Sequence, residues 1–331
     1  HGGLRYLEYY EFALVRKALI EREVLMRSAP HIISPLRFVM PHMKGLRPAW
    51  ILRAGLFLYD MLARRELLPA SVGVNLRRHV AGEPLKDELV RGFIYADGWV
   101  DDARLVVLNA MDAAEKGATI MTRTRCESVR QQDGKWRAHL RDSAENHIEI
   151  EARCLVNASG SWAAQFQQAS AAHQPGKALR LIKGSHIVVR RLFDHPYAYI
   201  FQHPDGRIVF AIPYEKKFTL IGTTDIDYQG DINHVVIAQS EIDYLCDLSS
   251  LYFKQRIRPA DVVWSYAGVR PLVDDGASDA KAITRDYRLE LDQSGAPLLT
   301  VFGGKITTFR KLAEQAIDLI APLLSNTHSA W

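Results

Sequence analysis

Two glycine-bearing stretches have the residue types to meet a ligand. Asn157-Ala158-Ser159-Gly160-Ser161-Trp162 follows the apolar run Cys154-Leu155-Val156, and Phe302-Gly303-Gly304-Lys305-Ile306-Thr307-Thr308 follows Leu298-Leu299-Thr300-Val301. In each, a strand pattern gives way to glycine and then to a helix start. Glycine lets backbone approach a phosphate or a planar ring, and the free N–H groups at a helix start attract anions. One such turn is as readily steric as functional. Two in one chain suit a single large cofactor, with Lys305 adding a cation. Neither is a P-loop, because the GxxxxGK[ST] spacing is absent, and GxGxxG occurs nowhere.

Two arginines sit in strand-like surroundings, Arg270 in Gly268-Val269-Arg270-Pro271-Leu272 and Arg285 in Ile283-Thr284-Arg285-Asp286-Tyr287. An arginine pointing inward from a strand needs an anion, whereas one pointing outward is solvated, and spacing alone does not choose. His186, in Lys183-Gly184-Ser185-His186-Ile187, shares a face with Gly184 and Val188 by alternation. It reads as a base or as a core histidine. The pair Gly2-Gly3 ahead of Leu4-Arg5-Tyr6 suits an anion clamp, and equally a chain terminus.

These residues need elements to position them. The spacing of Phe12, Val15, Leu19 and Met26 predicts a helix over 8–27, stopped by Pro30. An apolar helix over 48–60 reads first as buried and second as amphipathic against a membrane, given Trp50, Phe57, Tyr59, Arg47 and Arg53. A third helix spans 101–117, from Asp101 to Gly117, and a strand follows at 119–122. Trp136, Ala138 and Leu140 alternate with polar residues, as do Ile148 and Ile150, which predicts a hairpin. A buried strand over 153–157 then leads into a helix from Ser161. β-Rich runs at 181–189, 197–202, 207–213 and 218–224, joined by short turns, predict an antiparallel sheet rather than βαβ units. A helix near 239–257, strands around 261–266, 283–290 and 298–302, and a helix from Thr307 complete the chain. The fold class is mixed α/β, an α/β layer interleaved with an antiparallel sheet domain.

Composition sets the outer bounds. With 331 residues, 48% hydrophobic and 24% charged, the chain has a large core and about two domains, and is neither disordered nor a disulfide scaffold. Cys126, Cys154 and Cys246 are scattered, with no CxxC pair and no metal spacing, which points to a reducing compartment and no metal. No apolar run reaches 18 residues. The start has neither a signal-peptide layout nor an initiator Met, so a processed chain or a fragment is expected. Residues 1–60 carry nine basic and five acidic side chains, the whole of the +4 net charge. That suits an anionic substrate or an anionic membrane surface. Nucleic acid is disfavoured, because no Lys/Arg block is interleaved with aromatics.

Together these segments resemble the FAD-dependent glycerol-3-phosphate dehydrogenases, the membrane-associated respiratory enzymes. The resemblance is carried by HGGLRYLE at 1–8, RPAW at 47–50, WVDDARL at 99–105, LVNASGSW at 155–162 and LIKGSHIVV at 181–189. It continues through IGTTD at 221–225, GVRPL at 268–272, ITRDY at 283–287 and FGGKITTFRKLAE at 302–314, in the family's order. It implies an FAD-dependent oxidoreductase fold: a truncated Rossmann-like FAD-binding layer over 1–180 and 291–331, and a substrate-binding antiparallel sheet over 181–290. Family members open with a strand, GxGxxG and an acidic residue. The chain is therefore expected to be a central fragment without that unit or the C-terminal helical domain, and to be purified without FAD.

The implied reaction is oxidation of sn-glycerol 3-phosphate to dihydroxyacetone phosphate, with hydride passing to FAD and electrons to quinone. Arg5, Tyr6, Arg270 and Arg285 would hold the phosphate, with His186 as base and Lys305 and Arg270 stabilising charge. Gly2, Gly3, Ala158, Gly160, Trp162, Gly303, Gly304, Lys305 and Thr307 would line FAD. The resemblance also implies a cytoplasmic protein, peripheral on the inner face of the cell membrane and homo-oligomeric at full length. The alternatives are a related flavin oxidase using oxygen and an inert, cofactor-free fragment.

Overall fold

The computed structural model describes residues 3–43, 45–170, 179–203, 206–273 and 286–324. Its first half runs α1 (Phe12–Ser28), β1 (Ile33–Pro41), α2 (Ala49–Met61), β2 (Val72–Asn75), β3 (Arg91–Val100), α3 (Asp102–Glu115), β4 (Arg125–Gln132), β5 (Lys135–Arg141), β6 (His147–Ala152), β7 (Leu155–Asn157) and α4 (Ala163–Ala169). The second runs β8 (Leu179–Arg190), β9 (Ala198–Gln202), β10 (Ile208–Tyr214), β11 (Phe218–Gly222), β12 (Ile226–Asp227), α5 (Gln239–Tyr252), β13 (Val262–Val273), β14 (Arg288–Asp292), β15 (Leu298–Phe302) and α6 (Phe309–Ile320). The chain divides into two units, His1–Val100 with Ile182–Val269, and Asp101–Leu181 with Arg270–Trp331.

The first unit is built on a sheet of order β12-β8-β11-β10-β9-β1-β3-β2, with β13 also paired to β8. The β8–β11, β11–β10 and β10–β9 pairs are antiparallel, as the four β-rich runs require. Period-two alternation splits its side chains between two cores. Val39, Ile94, Ile187, Tyr199 and Phe201 face α5 through Leu245 and Tyr252. Phe38, Phe93, Tyr95 and Ile200 face α1 and α2 through Val15, Leu19, Leu56 and Tyr59. With both faces covered, β3 is buried from Gly92 to Gly98 and shows no polar alternation.

β1, β2 and β3 were not anticipated from sequence: Pro35 and Pro41 argue against β1 as a strand, and β3 lacks a period-two signal. The three strands add residues 1–100 to the sheet unit, because β1 pairs with β9 in parallel at Phe38↔Ala198. A grouping of 1–180 together therefore gives way to the division above.

α2 is also not the buried helix first expected. Only Leu56 and Tyr59 are buried, while Trp50, Ile51, Phe57, Leu58 and Met61 are exposed. The Tyr59 hydroxyl reaches Asp97 Oδ2 at 3.3 Å inside a buried ionic cluster. There Arg22 Nη1 meets Asp97 Oδ1 at 3.3 Å and the Ala96 carbonyl at 3.2 Å. The first helix begins at Phe12, after a 3-10 turn over Leu4–Tyr9.

In the second unit, β14-β15-β7 form one three-stranded sheet and β4-β5-β6 another. The predicted hairpin is the second of these with β4 added. Trp136 anchors it, its indole N–H lying 3.1 Å from the Ala296 carbonyl and 2.9 Å from that of Pro297. α6 packs Ala316 and Ile320 on Leu299. The strand expected over 119–122 does not form; no described strand pairs with these mostly exposed residues. Among the described residues no helix is long and apolar enough to cross a membrane.

Candidate active site

β15 and β7 lie side by side and parallel, in register from Leu298↔Leu155 to Thr300↔Asn157. Both glycine loops therefore leave the same sheet from the same, carboxyl, ends of adjacent strands. In open parallel sheets that is where ligands bind. Asn157, 3% exposed, shapes the first loop. Its Nδ2 donates to the Ala163 carbonyl at 2.9 Å and its Oδ1 accepts from Ser159 Oγ at 2.6 Å.

The second loop turns on Gly303 and Gly304, at φ +70° and +103°, in the left-handed region that favours glycine. A Cβ on Gly303 would stand 3.2 Å from the Asp286 carbonyl oxygen, so a side chain there would be crowded as well as strained. The hydroxyl oxygens of Thr300 and Thr307 are buried with no hydrogen-bond partner among the described residues. A buried hydroxyl left unpaired costs about 1–3 kcal/mol. Thr300 lies on β15 and Thr307 in the turn that follows it. Ala158 and Trp162 are exposed, while Gly160, Arg270 and Lys305 are half-buried.

The first unit carries His186. β8 is flanked by β11 and β13, and His186 pairs across to Gly222 on β11. Its ring stacks on Tyr266 of β13, centroids 4.8 Å apart and planes within 8°. Next to it, Glu241 of α5 is 2% exposed and gathers four donors. Ser185 Oγ and Thr224 Oγ1 reach its Oε1 at 2.8 and 2.7 Å. Lys183 Nζ and the Ala238 N–H reach its Oε2 at 2.7 and 2.9 Å. Burial pushes this carboxyl up, but these donors outweigh it and hold it below the ordinary carboxylate range.

The expected site residues thus fall into two groups. Gly3, Tyr6 and His186 belong to the first unit; Ala158, Gly160, Trp162, Arg270, Gly303, Gly304, Lys305 and Thr307 belong to the second. Gly2, Arg285 and the side chain of Arg5 lie outside the described residues. Gly3 has a packing reason of its own: a Cβ there would stand 2.8 Å from Tyr6 Cδ2. Sequence reasoning passed over Gly222, Tyr266 and Glu241. An apolar cavity of about 350 Å³ also lies in the first unit, lined by Leu4, Leu7, Met40, Leu52, Ile200 and Ile208, with Arg47 at its edge.

Residues 1–310 match the family described as DAO, FAD dependent oxidoreductase. The chain belongs to this family. FAD is the family's cofactor, and the two glycine loops, with the Thr307 hydroxyl unpaired among the described residues in the second, fit such a group. A glycerol-3-phosphate dehydrogenase of Pseudomonas aeruginosa is 55% identical over 333 residues, covering 100% of this chain and 64% of the relative. A D-erythritol 1-phosphate dehydrogenase of Brucella abortus is 50% identical over 333 residues, covering 100% of this chain and 66% of the relative. The chain thus spans somewhat less than two thirds of the length of these curated relatives. Among solved structures, the glycerol-3-phosphate dehydrogenase of Bacillus halodurans complexed with FAD matches with TM-score 0.76 and 27% identity, covering 95% of this chain and 56% of that one. The mixed α/β class and the FAD-dependent oxidoreductase fold expected from sequence are those observed.

Proposed function

We propose that this chain is the core of an enzyme that oxidises sn-glycerol 3-phosphate to dihydroxyacetone phosphate and passes the electrons to a quinone. One observation carries the reading: the two glycine loops leave adjacent parallel strands together, in a chain 55% identical throughout to a glycerol-3-phosphate dehydrogenase. FAD, when bound, supplies the two-electron acceptor. The second unit holds it through Ala158, Gly160, Trp162, Gly303, Gly304 and Thr307, with Lys305 offsetting negative charge. Arg270, with Arg285, Arg5 and Tyr6, binds the substrate phosphate, for which the guanidinium fork is well shaped. His186 accepts the proton of the C2 hydroxyl.

A second reading has its own support. The relative named for D-erythritol 1-phosphate is also 50% identical over the whole chain. Both substrates are polyol phosphates with a secondary hydroxyl. Anaerobic mixing of the flavin-loaded full-length protein with each substrate separates them. Glycerol 3-phosphate should bleach the flavin band with the higher kcat/KM; a preference for erythritol 1-phosphate overturns the assignment, and bleaching by neither removes both.

The outer face of α2 supports a peripheral seat on anionic membrane. Trp50, Phe57 and Met61 are 72%, 58% and 65% exposed, with Arg47 and Arg53 beside them, a composition that lies flat in a lipid headgroup region. The apolar cavity beneath α2 suits the tail of a membrane quinone.

A further inference from the structure

Glycine inside a strand weakens it and commonly marks a close approach by something else. Gly222 closes β11, directly across from His186. A Cβ built there would stand 2.1 Å from His186 Cδ2 and 2.7 Å from both Cγ and Nε2. The imidazole fills the space that any other residue's side chain would take. Tyr266, on β13, which also pairs with β8, stacks on the ring.

The backbone at this point has little freedom to make room. One step along, Ile187 and Ile221 pair across the strands and are both 0% exposed in the core. On the other side, the Ser185 N–H donates to Thr224 Oγ1 at 3.0 Å. Thr224 and Ser185 are in turn tied to Glu241. With both strands pinned on either side of the pair, an added methyl group must displace the ring rather than part the strands. We propose that Gly222 is a positioning residue for His186, its missing side chain forming the seat in which the imidazole is held against Tyr266. This gives the Ile221-Gly222-Thr223-Thr224-Asp225 segment a role: glycine seats the base, and Thr224 fixes the strand that carries it. The inference rests on the reading of His186 as the base, and adds what sets its geometry.

The test is a double-mutant cycle in the full-length, flavin-loaded protein, with kcat, KM and thermal midpoint measured for wild type, Gly222→Ala, His186→Ala and the double variant. Misplacing a catalytic group by about 1 Å costs on the order of 100-fold, so Gly222→Ala should lower kcat by about 10- to 100-fold with KM within about twofold. It should also lower the midpoint. In the His186→Ala background the same substitution should change neither downward, since there is no ring to displace. Independent, additive effects of the two substitutions on both kcat and midpoint would overturn the seat. The midpoint cycle stands even if His186→Ala leaves kcat intact: that result removes the base assignment, while coupled midpoints still support the seat and additive ones still reject it. If Gly222→Ala does not fold, Tyr266 serves instead. Leucine there should lower kcat about fivefold or more by loosening the ring, and phenylalanine should restore most of it; equal kcat for Tyr266, Tyr266→Phe and Tyr266→Leu rejects the proposal.

Discussion

His195 Nε2 lies 2.7 Å from the hydroxyl of Tyr199, and that hydroxyl lies 2.6 Å from the Ala81 carbonyl oxygen. The carbonyl can only accept, so the tyrosine donates to it and accepts from His195 Nε2–H. The other ring nitrogen, Nδ1, accepts from the Tyr197 N–H at 3.3 Å. A second proton on the ring would have to face a donor.

Burial first, with His79 nearby adding to it, holds this imidazole down at about 4. The folded chain keeps the ring neutral, while the unfolded chain takes up a proton below about 6.5. The resulting stability is complete above that value and is lost as pH falls towards 4. Urea midpoints measured at pH 7.5 and pH 5 should therefore fall on acidification, and fall less in His195→Gln. The same acid sensitivity in both proteins would show that protonation of His195 is not the cause.

Glu241 carries the same sign, stability being lost on acidification. Its folded carboxyl is held below the ordinary range, so its contribution is present above the unfolded value and disappears as pH drops through the folded one. Glu241→Leu leaves Lys183 buried without its counter-ion and should cost about 3–5 kcal/mol. Lys183→Met should cost less, because the carboxylate keeps Ser185, Thr224 and the Ala238 N–H. Denaturant midpoints give the order directly. A larger loss for Lys183→Met would mean that the ion pair, rather than the set of hydroxyl and amide donors, carries the cluster.

What was legible in the sequence follows from where each signal resides. The loops at 157–162 and 302–308 could be read locally, because strand, glycine and helix start are adjacent in the chain. Their adjacency in space could not, since it depends on the parallel pairing of β7 with β15. Gly222 was opaque for the same reason: its neighbour is His186, 36 positions earlier, and only the register brings them together. β3 was missed because burial on both faces erases alternation. α2 misled in the other direction. An apolar helix reads as buried, yet only Leu56 and Tyr59 of α2 are fully buried.

α2 supplies a direct test of the membrane proposal. Replacing Trp50 and Phe57 together by serine should reduce co-sedimentation with anionic vesicles by about tenfold, leaving the thermal midpoint nearly unchanged, since both side chains are exposed. Tyr59→Phe should do the reverse: it alters the buried cluster with Arg22 and Asp97 and leaves vesicle binding alone. Equal binding to neutral and anionic vesicles would reject the anionic surface.

For the substrate site, the expected split is between binding and turnover. In the full-length, flavin-loaded protein, Arg270→Lys should raise KM for glycerol 3-phosphate by about tenfold or more, because a charge-assisted contact contributes about 1.5–3 kcal/mol and lysine lacks the fork. His186→Ala should act mainly on kcat, as a base matters most in the transition state. An unchanged KM in Arg270→Lys would take that arginine out of phosphate binding.

Thr307 separates a ligand role from a structural one by sign. Its hydroxyl oxygen is buried and has no partner among the described residues. Thr307→Val keeps the shape and removes the unpaired oxygen, so the unliganded protein should gain stability, by up to about 1 kcal/mol. If that oxygen meets the flavin, the same substitution should lower flavin retention in the full-length protein, read from the visible band after dialysis. A side chain that merely supports the loop would move both quantities together. Stability rising while flavin is lost is the signature of a hydroxyl kept for the cofactor, and retention equal to wild type would remove Thr307 from the site.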